Sequence, residues 1–273
     1  MKKILIALLV VVVAVASCIA LIGCKDEEKK DEFIVATNAA FPPFEYKEGN
    51  KFVGVDMELA QKIADKLGKT LVVKDMEFDS VILSVASGES HVGMAGMTIT
   101  DKRKETVDFC NPYYNASQML IVPENDTTFD GLTTAAQIEE KLKSLSGVTI
   151  GVQRGTTGNY YVKGDADWGF DGFANVTCKE YDNGGLAVKD IQNGNCTYVV
   201  IDEMPAKQIV ETSNMVNSTK KVKVISVPLT EEEYAFAVAK GNTELKDQIN
   251  RIMEELKKDG TFQAILDKYF AAE

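Results

Sequence analysis

The chain has 273 residues, of which 45% are hydrophobic and 26% are charged. This composition is ordinary for a folded protein and excludes disorder for most of the chain, and the length allows either two lobes or one large domain. The formal net charge of −11 argues against nucleic acid as a partner, because phosphate binding needs a basic surface.

The first 23 residues have the pattern of a secretion signal. Lys2 and Lys3 precede an apolar run, and Cys24 follows that run directly before the charged segment KDEEKKDE. Because residues 21–24 are similar to a bacterial lipobox, we predict a signal peptide over 1–23, a lipid on Cys24 and a charged tether over 24–32. Residues 15–18 also fit a loose lipobox, and the run could instead be an anchor helix. All three interpretations place the rest of the chain outside the cytoplasmic membrane.

Five cysteines are present, and two of them, Cys18 and Cys24, belong to the signal region. Cys110 lies in the segment DFCNPYY, which leaves Cys178 and Cys196 as the pair that could form a disulfide in an exported protein. The sequence leaves the bridged and the free states both open, because it does not show whether the two Cβ atoms meet. CxxC and HExxH are absent and the chain has one histidine, so we expect no metal site and no cofactor.

Strand-like and helical patterns alternate from residue 33 onwards. The first set is a strand over 33–37, a helix over 56–68, a strand over 70–76, a helix over 80–88 and a strand over 92–97. This β-α-β-α-β order predicts a mostly parallel sheet with right-handed crossovers. A second set comprises strands over 147–152 and 176–181, a helix over 185–194 and a strand over 198–202. Two α/β lobes are therefore expected.

Two extended runs, 117–126 and 220–229, connect the two sets. A strand over 234–240 and an amphipathic helix over 242–260 follow the second run. We predict that the chain leaves the first lobe, builds the second and returns. The first lobe then comprises 33–121 and 226–273, the second comprises 122–225, and hinge strands lie near 118–122 and 222–227.

Polar residues cluster after the strand that ends near Gly96. Thr98 and Thr100 are followed by Arg103, whose planar guanidinium can give two parallel hydrogen bonds to a carboxylate. A surface salt bridge is an alternative, since charged residues flank this arginine on both sides. Open α/β sheets bind ligands at the carboxyl ends of their strands, and this position favours a carboxylate site at Arg103.

The second lobe has a similar arrangement after its first strand. In QRGTTGNYY, Gly155 and Gly158 permit a tight turn, and Thr157 can present its amide at the start of a helix. A plain strand-to-helix turn remains an alternative, and the absence of GxxxxGK[ST] argues against phosphate. Asp202 ends the strand YVVID, where it could also cap the next helix. Donors in both lobes and one acid suit a zwitterion, with its carboxylate on Arg103 and its ammonium on Asp202.

Several longer segments occur in the order and spacing of one protein family: ATNAAFPPFEY, FVGVDMELAQKIADKLG, FDSVILSVASGE, GMAGMTITDKRKETVDF, NPYY, IGVQRGTTG and YVVID. Over residues 33–270 the chain resembles the extracytoplasmic solute-binding proteins of polar amino-acid ABC transporters. The resemblance implies an α/β, two-lobed type II periplasmic-binding-protein fold, a clamshell with two hinge strands. It also implies a monomer at the cell membrane that captures a free polar L-amino acid, delivers it to an ABC permease and catalyses no reaction.

The resemblance implies roles for residues that would hold the backbone groups of the ligand. Arg103 would pair with the α-carboxylate, assisted by the amides of Thr98 and Thr157. Asp202 would pair with the α-ammonium, together with the carbonyl of Gly96 and the hydroxyl of Thr98.

Four further residues would surround the ligand side chain. Phe41 and Phe78 resemble the aromatic walls of the family, although aromatic residues at such positions also serve the core. Asn38 and Gln153 occupy positions that tune selectivity. Many relatives have an acid in place of Asn38, which weakens a preference for arginine or lysine. We therefore expect a neutral polar ligand such as glutamine or cystine, with histidine or arginine next.

Two other functions are compatible with the same fold. A dehydratase-like enzyme would need a general acid in the cleft, and the candidates are His91, which precedes a strand, and Glu45 and Glu203. A sensor domain would need a further membrane segment or a signalling module after residue 270, and we expect neither. Binding without catalysis is the function that the sequence favours.

Overall fold

The structure is a computed structural model that describes residues 31–270, apart from the side chain of Trp168. The predicted signal peptide, the lipidated Cys24 and residues 24–30 of the predicted tether lie outside the described residues. The chain from Glu32 onwards forms one compact unit. Within 31–270, no helix is long and apolar enough to cross a membrane.

The strands of the described residues are β1 (Glu32–Thr37), β2 (Ala40–Phe41), β3 (Glu45–Glu48), β4 (Lys51–Val53), β5 (Thr70–Asp75), β6 (Val92–Gly93), β7 (Val107–Phe109), β8 (Tyr114–Ala116), β9 (Gln118–Pro123), β10 (Thr149–Gln153), β11 (Thr177–Tyr181), β12 (Tyr198–Asp202), β13 (Val222–Ile225), β14 (Glu232–Tyr234) and β15 (Ala237–Ala239). The helices are α1 (Val55–Leu67), α2 (Phe78–Ala86), α3 (Asp101–Lys104), α4 (Ala135–Ser144), α5 (Thr157–Lys163), α6 (Gly184–Asn193), α7 (Glu203–Val216), α8 (Thr243–Lys258) and α9 (Thr261–Phe270). A short 3-10 turn occupies Ala166–Trp168.

The first lobe is built on a five-stranded sheet in the order β5-β1-β6-β15-β7. Strand β1 is parallel to β5 and β6, whereas β15 is antiparallel to β6 and β7. Helix α2 covers one face, where Val81 and Val85 are buried against the sheet. On the other face, α1 buries Leu59 and Ile63 on the side that its 3.6-residue period predicts.

The second lobe repeats this plan in the order β11-β10-β12-β9-β13. Strand β10 is parallel to β11 and β12, and β9 is antiparallel to β12 and β13. Helices α6 and α7 bury apolar residues on one face, and α4 and α5 do so on the other. Each sheet is therefore mixed but mostly parallel in strand direction, as predicted. Four of its five strands run the same way, and one strand, β15 in the first sheet and β9 in the second, runs antiparallel to them.

The predicted hinge segments have defined partners. Strand β9 runs through the predicted lobe boundary at 121–122 and pairs with β13, so both strands lie in the sheet of the second lobe. A separate two-stranded ribbon of β8 and β14 lies where the chain passes between the two sheets. The exact lobe limits and the hinge motion remain predictions.

Candidate functional site

A narrow cavity of about 10 Å3 lies between the strand ends of the two lobes. Eight of the nine predicted ligand-binding residues line it, and the ninth, Asn38, is hydrogen-bonded to one of the eight. Thr156, which was not among the nine, also lines the cavity. The lining residues are Phe41, Phe78, Gly96, Thr98, Arg103, Gln153, Thr156, Thr157 and Asp202. The structure thus brings the predicted residues together, and their contacts with a ligand remain predictions.

Arg103 is held in place by its own short helix. The hydroxyl of Thr100 accepts a hydrogen bond from the backbone N–H of Arg103 and caps α3. The guanidinium is buried, donating from Nη1 to the carbonyl of Thr98 at 2.8 Å and from Nη2 to the carbonyl of Gly155 at 3.1 Å. It also lies 5.2 Å from the ring centroid of Phe78. Burial lowers its pKa to about 10, so the group stays positively charged at neutral pH.

Asp202 is the acid at the end of β12. The predicted alternative role as a helix cap does not occur, because its side chain makes no capping hydrogen bond to α7. It accepts a short hydrogen bond from the hydroxyl of Tyr234 instead. Burial, followed by the negative charge of Glu232, raises the pKa of Asp202 to about 7. This carboxyl is therefore poised to change its protonation when a cation arrives.

Gly96 permits the close packing of the cavity floor. Its φ of 51° lies in the left-handed region, and a Cβ at this position would lie 2.8 Å from the ring of Phe41. Its N–H donates to the buried carboxylate of Asp56 at 3.0 Å, which fixes the strand end. Only glycine satisfies both requirements without a shift of the aromatic ring.

A chain of hydrogen bonds orients the side-chain amides of Asn38 and Gln153, the two residues predicted to tune selectivity. Nδ2 of Asn38 donates to the carbonyl of Met76 at 2.8 Å, and Nε2 of Gln153 donates to Oδ1 of Asn38 at 2.9 Å. Because a carbonyl only accepts, it fixes the orientation of Asn38, which in turn fixes that of Gln153. Oε1 of Gln153 is then left buried with no hydrogen-bond partner among the described residues. The amide chain therefore leaves an unsatisfied hydrogen-bond acceptor on a residue of the cavity wall.

Sequence reasoning missed Glu232, whose carboxylate touches two predicted ligand-binding residues. Its Oε2 accepts hydrogen bonds from the hydroxyls of Thr98 at 2.7 Å and Thr157 at 2.8 Å. It lies in a run of three glutamates, and such a run is typical of a solvated surface. No local signal separates Glu232 from Glu231 and Glu233, so only the tertiary pairing of β14 reveals its position.

Residues considered for other roles lie away from the cavity lining. His91 accepts a hydrogen bond from the backbone of Ile34 at 2.9 Å and stacks on Phe33, as a structural residue would. Glu45 is fully buried, and burial followed by the nearby Asp56 raises its pKa well above the usual range. No group of three or more metal-ligating side chains occurs within 31–270.

The two candidate disulfide cysteines are free. Cys178 packs on the side of the second sheet that faces α5, with its Sγ 3.6 Å from Nδ2 of Asn159. Cys196 belongs to the hydrophobic core on the opposite side. The sheet therefore separates the two sulfur atoms, which explains why this pair is not bridged.

Comparison with known proteins identifies the family. Residues 33–272 match the model of the bacterial extracellular solute-binding proteins, family 3. The arginine-binding extracellular protein ArtP of Bacillus subtilis is 31% identical, over 95% of this chain and 96% of that protein. An ancestral arginine-binding protein solved with glutamine has a TM-score of 0.73 at 38% identity, over 88% of this chain and 98% of that one. The same kind of ancestral protein solved with arginine has a TM-score of 0.72 at 37% identity, over 89% and 100%.

These relatives are amino-acid-binding proteins, and the structural matches confirm the predicted two-lobed, type II periplasmic-binding-protein fold. The chain is a member of the bacterial extracellular solute-binding proteins, family 3, the amino-acid-binding proteins of ABC transporters.

Proposed function

We propose that this protein is a lipid-anchored substrate-binding protein that captures a free polar L-amino acid between its two lobes and delivers it to an ABC permease. One observation carries the proposal: Arg103 and Asp202, a buried cation and a buried acid, line the same cavity. A free amino acid offers the complementary pair, a carboxylate and an ammonium group. Family membership supports the transport role, since the relatives are amino-acid-binding proteins.

The buried acceptor on Gln153 restricts which amino acids fit as ligands, through the chemistry of their side chains. A buried polar atom without a partner is unfavourable, so a ligand that donates an N–H to Oε1 gains binding free energy there. Glutamine, arginine and cystine carry such donors, whereas glutamate presents a second acceptor. Ancestral arginine-binding relatives were solved with glutamine in one structure and with arginine in another, which makes these two ligands the first to test.

Binding would couple to closure of the lobes. Arg103 and Asn38 of the first lobe already contact Gly155 and Gln153 of the second. A ligand that touches both lobes stabilises the closed state through contacts that the open state lacks. Closure also removes water from around the charged groups, which strengthens their interaction with the zwitterion.

A thermal-shift screen of the mature protein tests the binding function. The twenty amino acids and cystine are added to protein that has been unfolded and refolded to remove carried ligand. A ligand at a thousand times its Kd adds about 4 kcal/mol to the free energy of unfolding, which corresponds to a rise in Tm of roughly 10 °C for a chain of this size. We expect such a shift with arginine, glutamine or cystine and not with glutamate. No shift with any amino acid would contradict the proposed function.

Membrane attachment is tested by replacing Cys24 with alanine. We expect the Cys24→Ala protein to lose incorporated fatty acid, because the lipid on this cysteine is the predicted anchor. Cys18→Ala is the matched control, since Cys18 lies within the predicted signal peptide and should be absent from the mature protein. Retention of the lipid in Cys24→Ala, or its loss in Cys18→Ala, would move the lipidation site away from Cys24.

A further inference from the structure

Glu232 lies on the chain segment that returns from the second lobe to the first. It begins β14 and pairs with Ala116 of β8. The same segment contacts the loop after β6: Tyr234 forms a bridge with Thr98, and the carbonyl of Glu233 accepts from the N–H of Ile99 at 2.9 Å. Backbone hydrogen bonds on two sides therefore fix the position of Glu232 beside Thr98.

The carboxylate of Glu232 receives three hydroxyl groups. Oε2 accepts from Thr98 at 2.7 Å and from Thr157 at 2.8 Å, and Oε1 accepts from Thr230 at 2.8 Å. Thr98 comes from the first lobe and Thr157 from the second. Glu231 and Glu233, its neighbours in the chain, are exposed. The central glutamate of the run is thus the one that contacts residues of the cavity wall.

These contacts determine whether each of the two threonine hydroxyls can donate or accept a hydrogen bond toward the cavity. A hydroxyl has one proton and two lone pairs, whereas an ionised carboxylate can only accept. Each threonine hydroxyl therefore donates its hydrogen bond to Glu232, and its lone pairs remain able to accept hydrogen bonds from other donors. Thr157 uses one lone pair for Nε2 of Gln118 at 3.0 Å. Facing the cavity, the hydroxyl of Thr98 is left as an acceptor, which suits an ammonium group and not a carboxylate.

We propose that Glu232 is a positioning residue of the ligand site, which orients the hydroxyls of Thr98 and Thr157 so that they accept hydrogen bonds from the ammonium group of the ligand. This inference rests on the proposed amino-acid-binding function and adds a residue to it. The ammonium would then meet oriented acceptors in addition to Asp202. The carboxylate of the ligand would be left to Arg103 and to backbone N–H groups.

Calorimetry with arginine, glutamine or cystine, whichever binds the wild-type protein most tightly, tests the inference. At pH 8, where Asp202 is already mostly ionised, Glu232→Ala should weaken binding about 10- to 100-fold, because it frees the hydroxyl protons and lets Thr98 turn a donor toward the ammonium. Glu232→Gln can still offer one amide oxygen to both threonines, so its loss should be smaller, about threefold. Glu231→Ala and Glu233→Ala remove the same charge from exposed neighbours and should change Kd less than about twofold.

A double-mutant cycle separates positioning from a general effect on the fold. Thr98→Val removes the hydroxyl at nearly the same shape, so adding Glu232→Ala to it should weaken binding by much less than in the wild-type background. Full additivity of the two changes, or an unchanged Kd in Glu232→Ala, would overturn the inference. A wild-type protein that binds none of the three amino acids would instead contradict the proposed function itself.

Discussion

Arg103→Ala is expected to abolish amino-acid binding while leaving the fold intact. Truncating one partner of a buried, hydrogen-bonded charge pair weakens binding by about 2–5 kcal/mol, or roughly 30-fold to several thousand-fold in Kd. The arginine is buried at 6% exposure, so water cannot replace it well as the partner of a carboxylate. Calorimetry with the ligand found in the thermal-shift screen measures the loss.

The fold should survive because two carbonyls that accept from the guanidinium lie in loops. These carbonyls, of Thr98 and Gly155, belong to segments that follow strands β6 and β10. We expect the circular dichroism spectrum of Arg103→Ala to match that of the wild type and the Tm of the ligand-free protein to fall by only a few degrees. Arg103→Lys should bind almost as poorly as the alanine variant, since lysine cannot offer two parallel donors.

Arg154→Ala is the matched control for the loss of an arginine near the cavity. Arg154 lies next to Gly155 but is 47% exposed, and it pairs with Asp182 at 3.2 Å on the surface. Its removal should change Kd less than about twofold, because exposed ion pairs contribute little. If Arg103→Ala bound within tenfold of the wild type, or if Arg154→Ala lost as much as Arg103→Ala, the assignment of the carboxylate site would be wrong.

Much of this site was predictable because its residues follow strand ends. Thr98, Arg103, Thr157 and Asp202 each come shortly after or at the end of an apolar run, and apolar runs are easy to recognise. Parallel strands place their carboxyl ends at one edge of a sheet, so local patterns are enough to bring such residues together. Helix α4 was missed although Thr134 and Gln137 form a capping box, a signal that the sequence does carry.

Local sequence patterns could not predict the contacts that determine which side chains of the site donate and which accept hydrogen bonds. The hydrogen bond from Gln153 to Asn38 joins residues 115 positions apart, and the one from Thr98 to Glu232 spans 134. Local patterns single out some of these residues, but they do not state which distant side chain each residue will contact. The antiparallel direction of β9 and β15 was not predicted for the same reason, since an extended run such as 117–126 does not state which strand it will join.

Ligand binding should weaken as the pH falls below 7, because the ligand needs the ionised form of Asp202. The pKa of this carboxyl is raised to about 7 by burial and then by Glu232, and an incoming ammonium favours ionisation. Below its pKa in the ligand-free protein the acid must release a proton before it can pair. Kd should therefore rise about tenfold from pH 8 to pH 6, with about 0.9 proton released per ligand at pH 6.

The groups that face Asp202 determine the pH range over which Kd changes. The hydroxyl of Tyr234 donates to it, and Glu45 and Glu232 add negative charge from other elements, while the charge of Arg103 acts in the opposite sense. Because Glu45 and other buried acids also titrate with raised pKa values, the pH profile of the wild type alone does not isolate Asp202. Comparison with Asp202→Asn does, since the asparagine has the same shape and cannot ionise.

The same carboxyl should make the ligand-free protein less stable at high pH. A folded-state pKa near 7 against a usual value of 3.8 means that the folded chain binds more protons than the unfolded one between these values. Stability from this group is then full below about pH 4 and is lost as the pH rises through 7. Asp202→Asn should therefore raise the unfolding free energy of the ligand-free protein by about 1–4 kcal/mol at pH 8 and by little at pH 4.

One variant should thus gain stability and lose function. Asp202→Asn is expected to bind at least a hundredfold more weakly at pH 8 and to show almost no change in Kd between pH 6 and pH 8, because the ammonium loses its charged partner. Calorimetry in buffers of different ionisation enthalpy measures the proton release, and urea unfolding at pH 4 and pH 8 measures the stability. A wild-type Kd that is flat over this range, or an asparagine variant that keeps the pH dependence, would show that another group carries the titration. In the ligand-free protein the ionised form of Asp202 is unfavourable, and the ammonium group of a free amino acid is a cation that stabilises it.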